Sequence, residues 1–168
     1  MNDHRPLSLF VLSLAAGALL ANAAAAQVPD AIAAPGETVV ATFHAEGAQI
    51  YECKADANSK LAWQFREPIA TLLRDSATVG RHYAGPNWEA SDGSAVTGKV
   101  VATAPGTTAG DIPWLKLDVV AHRGSGTLSG VTTVQRINTH GGVMSGPCER
   151  AGAYLSEPYA ADYVFLRK

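Results

Sequence analysis

The chain has 168 residues, a formal net charge of −2 at pH 7 and only 17% charged residues. No run of lysine or arginine occurs, so the basic surface that nucleic-acid binding requires is missing and no nucleic-acid partner is expected. Beyond the N-terminus no stretch is long and apolar enough to span a bilayer as a helix, so we expect no integral membrane segment after N-terminal cleavage.

The first 26 residues have the three parts of a secretory signal peptide. Arg5 supplies a positive charge, Leu7 to Leu20 is mostly apolar, and a run of small residues completes the segment. We therefore predict cleavage after residue 26 and a secreted or periplasmic protein. Residues 27–37 are expected to be an irregular lead-in, and residues 38–168 a single β domain.

After the lead-in, apolar and polar residues alternate in the way that is typical of half-buried β-strands. In LAWQFRE, for example, Leu61, Trp63 and Phe65 share one face. Clusters of Gly, Pro, Asp, Asn and Ser separate such segments. The pattern predicts an antiparallel β-sandwich or a small β-barrel. The other strand-like segments are VVATFHA, AQIYECK, SAVTGKVVA, WLKLDVVAH, VTTVQRIN and ADYVFLRK.

Residues 68–75, PIATLLRD, are the only candidate helix. Ile69, Leu72 and Leu73 would form one apolar face over two helical turns, but a buried strand fits the same residues equally well. The sequence therefore predicts at most one short helix and leaves the choice at this segment open.

Cys53 and Cys148 are the two cysteines of the chain. In an oxidising compartment an isolated pair is most simply explained by a disulfide, although a reactive or metal-binding thiol is the alternative. We expect the Cys53–Cys148 disulfide. In the chain-entropy model it would stabilise the domain by about 4–5 kcal/mol.

The histidines beyond the predicted cleavage site are His44, His82, His122 and His140. No two of them have the close spacing of a metal-binding motif, although zinc sites can also be assembled from distant residues. We expect neither a metal nor another cofactor.

Residues 80–98, GRHYAGPNWEASDGSAVTG, concentrate aromatic and polar side chains. Gly85-Pro86 and Asp92-Gly93 predict two tight turns with a short strand, Asn87 to Ala90, between them. One interpretation is structural, with aromatic residues packed at the edge of the core and the aspartate capping its turn. Such aromatic residues are more often core than ligand contacts, but they can also stack on a planar ligand.

The functional interpretation of the same segment places His82 and Glu89 across the first turn from one another. There they would form an acid–base pair or part of a metal site. The sequence does not fix the directions of these side chains. The candidate ligand-binding residues are His82, Tyr83, Trp88, Glu89, Asp92 and Trp114.

Two familiar enzyme motifs, one for cofactor binding and one for catalysis, are missing. Gly124, Gly126 and Gly130 form G-x-G-x-x-x-G, one residue longer than the dinucleotide fingerprint, and they lie between strand-like segments instead of before a helix. A nicotinamide-dependent dehydrogenase is therefore disfavoured. The G-x-S-x-G motif of serine hydrolases does not occur either.

Several segments match one family pattern, and together they cover nearly the whole mature chain. The most specific is H-Y-x-G-P-x-W-E-x-x-D-G-S, at residues 82–94. The others are YEC at 51–53, Trp63, P-x-A at 68–70, IPWLKL from 112, GSGTLSGVTTVQRINTHGG from 124, Cys148 and PYAADYVF from 158. In these segments the chain resembles an exported bacterial and fungal family, domain of unknown function 3455. It departs at Val143-Met144, where members often carry Ala-Pro.

The resemblance implies a single exported domain with a disulfide and brings no established activity. The sequence as a whole favours a non-enzymatic exported β domain that binds a small molecule, a glycan or a protein. The alternative is a secreted hydrolase that uses His82 and Glu89 in an acid–base or metal site.

Overall fold

Eight antiparallel strands close into a barrel in this computed structural model, which describes residues 27–168. Each strand pairs with the next along the chain, and the last pairs with the first. The strands are β1 (Thr38–Ala55), β2 (Leu61–Arg74), β3 (Ala77–Tyr83), β4 (Asn87–Ala90), β5 (Ala95–Ala104), β6 (Trp114–Arg123), β7 (Thr133–Gly141) and β8 (Tyr154–Arg167). The predicted signal peptide lies outside the described residues.

The all-β antiparallel prediction is confirmed, and a closed barrel is the form that it takes. The described part of the chain has no α-helix, and its 3-10 turn lies in the lead-in at Asp30–Ile32. Within residues 27–168 no helix is long and apolar enough to cross a membrane.

The segment 68–75 is strand through residue 74, as part of β2. Pro68, Ala70 and Leu72 are buried, whereas the residues between them are exposed. This period of two decides the question that the sequence left open, because a helix would have buried residues three or four apart. Pairing with β1, in which Gln49 lies opposite Pro68, fixes the strand in place.

Alternate connections lie at the same end of an up-and-down barrel, so the loops divide into two groups. We call the end that carries residues 56–60, 84–86, 105–113 and 142–153 the mouth. We call the opposite end the floor. It carries residues 75–76, 91–94 and 124–132, together with the beginning of β1 and the end of β8.

The floor is closed by apolar packing. Leu128 and Val131, from the loop between β6 and β7, are fully buried and belong to the same core cluster as Phe43, Trp88 and Phe165. The rings of Phe43 and Phe165 are 5.2 Å apart, a distance at which tilted aromatic pairs are favourable.

Asp92 holds this floor loop in position. Its Oδ1 accepts hydrogen bonds from the backbone N–H and the hydroxyl of Ser94, at 2.9 and 2.6 Å. Its Oδ2 accepts from the backbone N–H and hydroxyl of Thr127, at 2.7 and 2.8 Å. These bonds lower the pKa of Asp92. The carboxylate therefore joins the turn after β4 to the loop after β6.

The lead-in packs on the outer surface of the barrel. Ile32 is fully buried in a second apolar cluster with Trp114 and Ile137. The Lys116 ammonium donates a hydrogen bond to the Ala33 carbonyl at 3.0 Å. The lead-in thus covers apolar side chains that face away from the barrel interior.

Asp92→Asn should lower the melting temperature by several degrees. All four groups that bond to the carboxylate are hydrogen-bond donors. An amide keeps one acceptor oxygen, but its NH₂ group is itself a donor and would face two of these donors. The control is Asp118→Asn, which makes the same chemical change at an exposed position where no side-chain hydrogen bond is made to the described residues. Thermal unfolding of both variants measures the difference. Equal melting temperatures for the two would contradict the floor role of Asp92.

Candidate functional site at the barrel mouth

A cavity of about 470 Å³ lies inside the barrel at its mouth. Residues from the β3–β4 turn (Gly85, Pro86) and from the loop before β6 (Ile112, Pro113) form its rim. The volume is in the range of small-molecule sites. The other lining residues are Gln49, Tyr51, Phe65, Arg66, Pro68, His82, Trp88, Val100, Leu115, Leu117, Arg136 and Tyr163.

Strand pairing brings His82 and Trp88 together in the cavity wall, because they lie opposite one another in β3 and β4. Their rings are stacked, with centroids 4.6 Å apart and planes within 10°. The Tyr163 ring lies 4.9 Å from the imidazole. These three rings form a continuous aromatic wall.

His82 is held in one tautomer. Its Nδ1 lies 2.8 Å from the carbonyl oxygen of Asn87, which can only accept, so Nδ1 carries the proton. Burial lowers the pKa of His82 to about 4, and the positive charge of Arg136 adds to this effect. The imidazole is therefore neutral near pH 7, and its Nε2 is an acceptor.

Arg136 contributes a guanidinium to the cavity lining from β7. Its Nε and Nη2 donate hydrogen bonds to the Pro113 carbonyl at 3.0 and 2.8 Å, which holds the group against the rim. Burial raises the pKa of Tyr163, and the neighbouring Arg136 charge partly opposes that rise. Among the described residues no carboxylate lies within ion-pair distance of Arg136.

Two further nitrogen donors are buried in the side chains that form the cavity wall. Gln49 is 2% exposed and Trp88 is 1% exposed. Neither Gln49 Nε2 nor Trp88 Nε1 has a hydrogen-bond partner within residues 27–168. Buried polar groups usually have a partner, so such donors are unusual in the wall of a cavity.

The loop between β7 and β8 is fixed beside the mouth. Cys53 in β1 forms a disulfide with Cys148 of this loop, with Cα atoms 5.9 Å apart, as the sequence predicted. The Tyr51 hydroxyl donates a hydrogen bond to the Gly142 carbonyl at 2.7 Å, and the Met144 N–H donates to the Tyr51 oxygen at 3.3 Å. These links hold the loop against β1, next to the cavity.

Glu89 and Tyr83 lie on the outer surface of the barrel, away from the cavity. The Glu89 carboxylate accepts hydrogen bonds from Arg123 at 2.7 Å, Arg81 at 3.1 Å and the Tyr83 hydroxyl at 3.0 Å. These donors lower the pKa of Glu89. Among the described residues its charge is thus already balanced by surface partners.

The structure does not bring His82 and Glu89 together as an acid–base or metal pair. Register places His82 opposite Trp88 and Glu89 opposite Arg81, and successive residues of a strand point to opposite faces. His82 is therefore inside and Glu89 outside. In the described range, no group of three His, Cys, Asp or Glu residues is placed to hold a metal ion.

The six candidate residues from the sequence divide among four places. His82 and Trp88 line the cavity, Tyr83 and Glu89 lie on the outer surface, Asp92 is in the floor, and Trp114 lies beneath the lead-in. Gln49, Arg136 and Tyr163 line the cavity as well and are not among the six candidates. For Gln49 and Arg136 the sequence offers one indication: each is a polar residue at a strand position where the alternation predicts an inward side chain.

Fold and cavity together define a class: a closed antiparallel barrel of eight strands with a cavity of small-molecule size at one end. Residues 33–79 and 73–167 match the family described as protein of unknown function, DUF3455. The chain belongs to this family, which confirms the resemblance seen in its sequence. No curated protein and no solved structure gives a significant match.

The low pKa of His82 makes stability depend on pH. The unfolded chain binds a proton at His82 below about pH 6.5, whereas the folded chain does so only near pH 4, so acid favours unfolding. This contribution is intact above pH 6.5 and about 3 kcal/mol is lost as the pH falls to 4. His82→Asn keeps an N–H for the Asn87 carbonyl and cannot titrate.

Urea unfolding between pH 4 and pH 7 should therefore show a smaller loss of stability on acidification for His82→Asn than for the unchanged protein. Other titrating groups are common to both proteins and cancel in the comparison. Identical pH dependence of the two unfolding free energies would show that His82 is not buried in its neutral form.

Proposed function

We propose that this protein is an exported binding protein that holds a small, partly apolar molecule in the mouth cavity. The observation that carries the proposal is the cavity itself, about 470 Å³ in volume and lined by aromatic and aliphatic side chains with a few polar groups. This combination is what small-molecule sites usually present.

The aromatic wall favours a ligand with an apolar surface. His82 and Trp88 offer stacked rings with Tyr163 beside them, and the neutral His82 Nε2 adds one acceptor. Of the six candidate residues, we propose that His82 and Trp88 contact the ligand. The other four have structural partners that explain their positions, at the outer surface, in the floor and beneath the lead-in.

Export is supported by the composition of the N-terminal segment and by the disulfide. Bonds such as Cys53–Cys148 persist in oxidising compartments and are rare in the cytosol. A secreted or periplasmic address is consistent with both features. A hydrolase that uses His82 with Glu89 gains no support, because the barrel wall separates the two side chains.

Titration with N-phenyl-1-naphthylamine, a neutral probe that fluoresces when it enters an apolar site, tests the proposed cavity binding. We expect saturable fluorescence with the unchanged protein and loss of most of it in Leu115→Trp, because the added indole would occupy the cavity that Leu115 lines. The probe is excited at a wavelength that tryptophan does not absorb, so the introduced indole does not contribute to the signal.

The matched control is Val120→Trp, on the outer face of the same strand, where Val120 is 59% exposed. This variant should bind the probe as the unchanged protein does. If the unchanged protein gives no saturable signal, the proposed function is wrong. Equal binding by Leu115→Trp, with its fold verified by circular dichroism, would place the probe outside the cavity and would also contradict the proposal.

A further inference from the structure

The charged groups of the cavity lining are all basic. Arg66 and Arg136 line it, whereas no aspartate or glutamate does among the described residues. Arg66 lies at the rim with its Nε 3.0 Å from a carboxylate oxygen of Glu67, so its charge is offset. Arg136 has no such partner within the described part of the chain, and it therefore gives the cavity wall a net positive charge.

The contacts of Arg136 leave part of its hydrogen-bonding capacity unused. A guanidinium has five N–H donors, and the Pro113 carbonyl accepts from Nε and Nη2 only. A carbonyl is a dipole and does not neutralise the charge. These bonds fix the plane of the guanidinium at the rim, which suits it for binding a planar anionic group.

Gln49 provides a second and independent indication of a polar ligand. The residue is 2% exposed, lines the same cavity from β1, and its Nε2 has no partner among residues 27–168. The amide lies at the end of a rotatable side chain, so a ligand oxygen that reaches the wall can accept its N–H. Such a bond would remove the cost of a buried donor without a protein partner.

We propose that the cavity selects molecules that carry a carboxylate on an apolar body. Arg136 binds the carboxylate with help from the Gln49 amide, and the body lies against the wall formed by His82, Trp88 and Tyr163. This inference rests on the proposed function, since it names the class of ligand for the same cavity.

Two compounds of nearly the same shape separate charge from apolar contact: naphthalene-2-carboxylate and naphthalene-2-carboxamide. Each is used to displace N-phenyl-1-naphthylamine from the unchanged protein at pH 7. We expect the carboxylate to bind roughly 10- to 100-fold more tightly, the usual effect of a hydrogen bond to a charged partner. Equal affinities, with the probe still bound and displaced, would overturn the inference and leave the proposed function standing.

The source of the preference is tested with Arg136→Met, which removes the charge and keeps much of the aliphatic side chain. The carboxylate should lose its advantage over the carboxamide. Lys99→Met removes one positive charge from the exposed outer side of β5 and should keep the full preference. If folded Arg136→Met retains the preference of the unchanged protein, Arg136 does not bind the carboxylate and the inference is wrong.

Arg136→Met also breaks the bonds to Pro113, so its folding is verified by its melting temperature. If it does not fold, two other measurements decide. Gln49→Leu should weaken carboxylate binding severalfold more than probe binding. The Arg136 Nε–H signal in the NMR spectrum of the unchanged protein should shift with the carboxylate and stay in place with the carboxamide, and an unchanged signal with both would refute the contact.

Discussion

Pairing of β8 with β1 is the constraint on which the rest of the structure depends. The register runs from Thr38 opposite Arg167 to Glu52 opposite Tyr154, and it turns an open sheet into a barrel without edges. Once the ring is closed, every strand residue faces either the interior or the outer surface. That division separates His82 from Glu89, although they lie close together along the chain. Closure also brings Gln49 of β1 to the same cavity as Arg136 of β7 and Tyr163 of β8.

The two ends of the barrel have different chemistry. At the floor, the loop that carries Leu128 and Val131 fills the interior, and Asp92 fixes it through four hydrogen bonds. At the mouth, the disulfide and the Tyr51 hydroxyl hold the loop between β7 and β8 against β1. Between the two ends, the wall contains buried donors and a guanidinium that have no protein acceptor and no carboxylate partner, respectively, among residues 27–168, and packing elsewhere in the domain offsets this cost.

Much of the fold could be predicted from the sequence, because alternation with a period of two and clusters of turn residues are local signals. The choice of strand for residues 68–75 could not, since only pairing with β1 decides it. The residues of the cavity could not be predicted from local signals either. Arg136 and Gln49 look like ordinary polar residues in strands until closure turns them inward. An aromatic side chain such as Trp114 can stack on a ligand or pack in a core, and only the fold shows that Ile32 of the lead-in packs in one cluster with it. The disulfide could be predicted without the topology, because two cysteines allow only one intramolecular bond.

A ligand that enters the barrel beside Trp88 should change the surroundings of its indole N–H, and the indole N–H signals of the protein report on this directly. Trp88 and Trp114 are both buried, and neither indole N–H has a hydrogen-bond partner in the described chain, but only Trp88 lines the cavity. Titration of ¹⁵N-labelled protein with naphthalene-2-carboxylate should shift the Trp88 Nε1–H signal and leave that of Trp114 in place. A shift of the Trp114 signal alone, or binding that moves neither signal, would contradict binding in the mouth cavity.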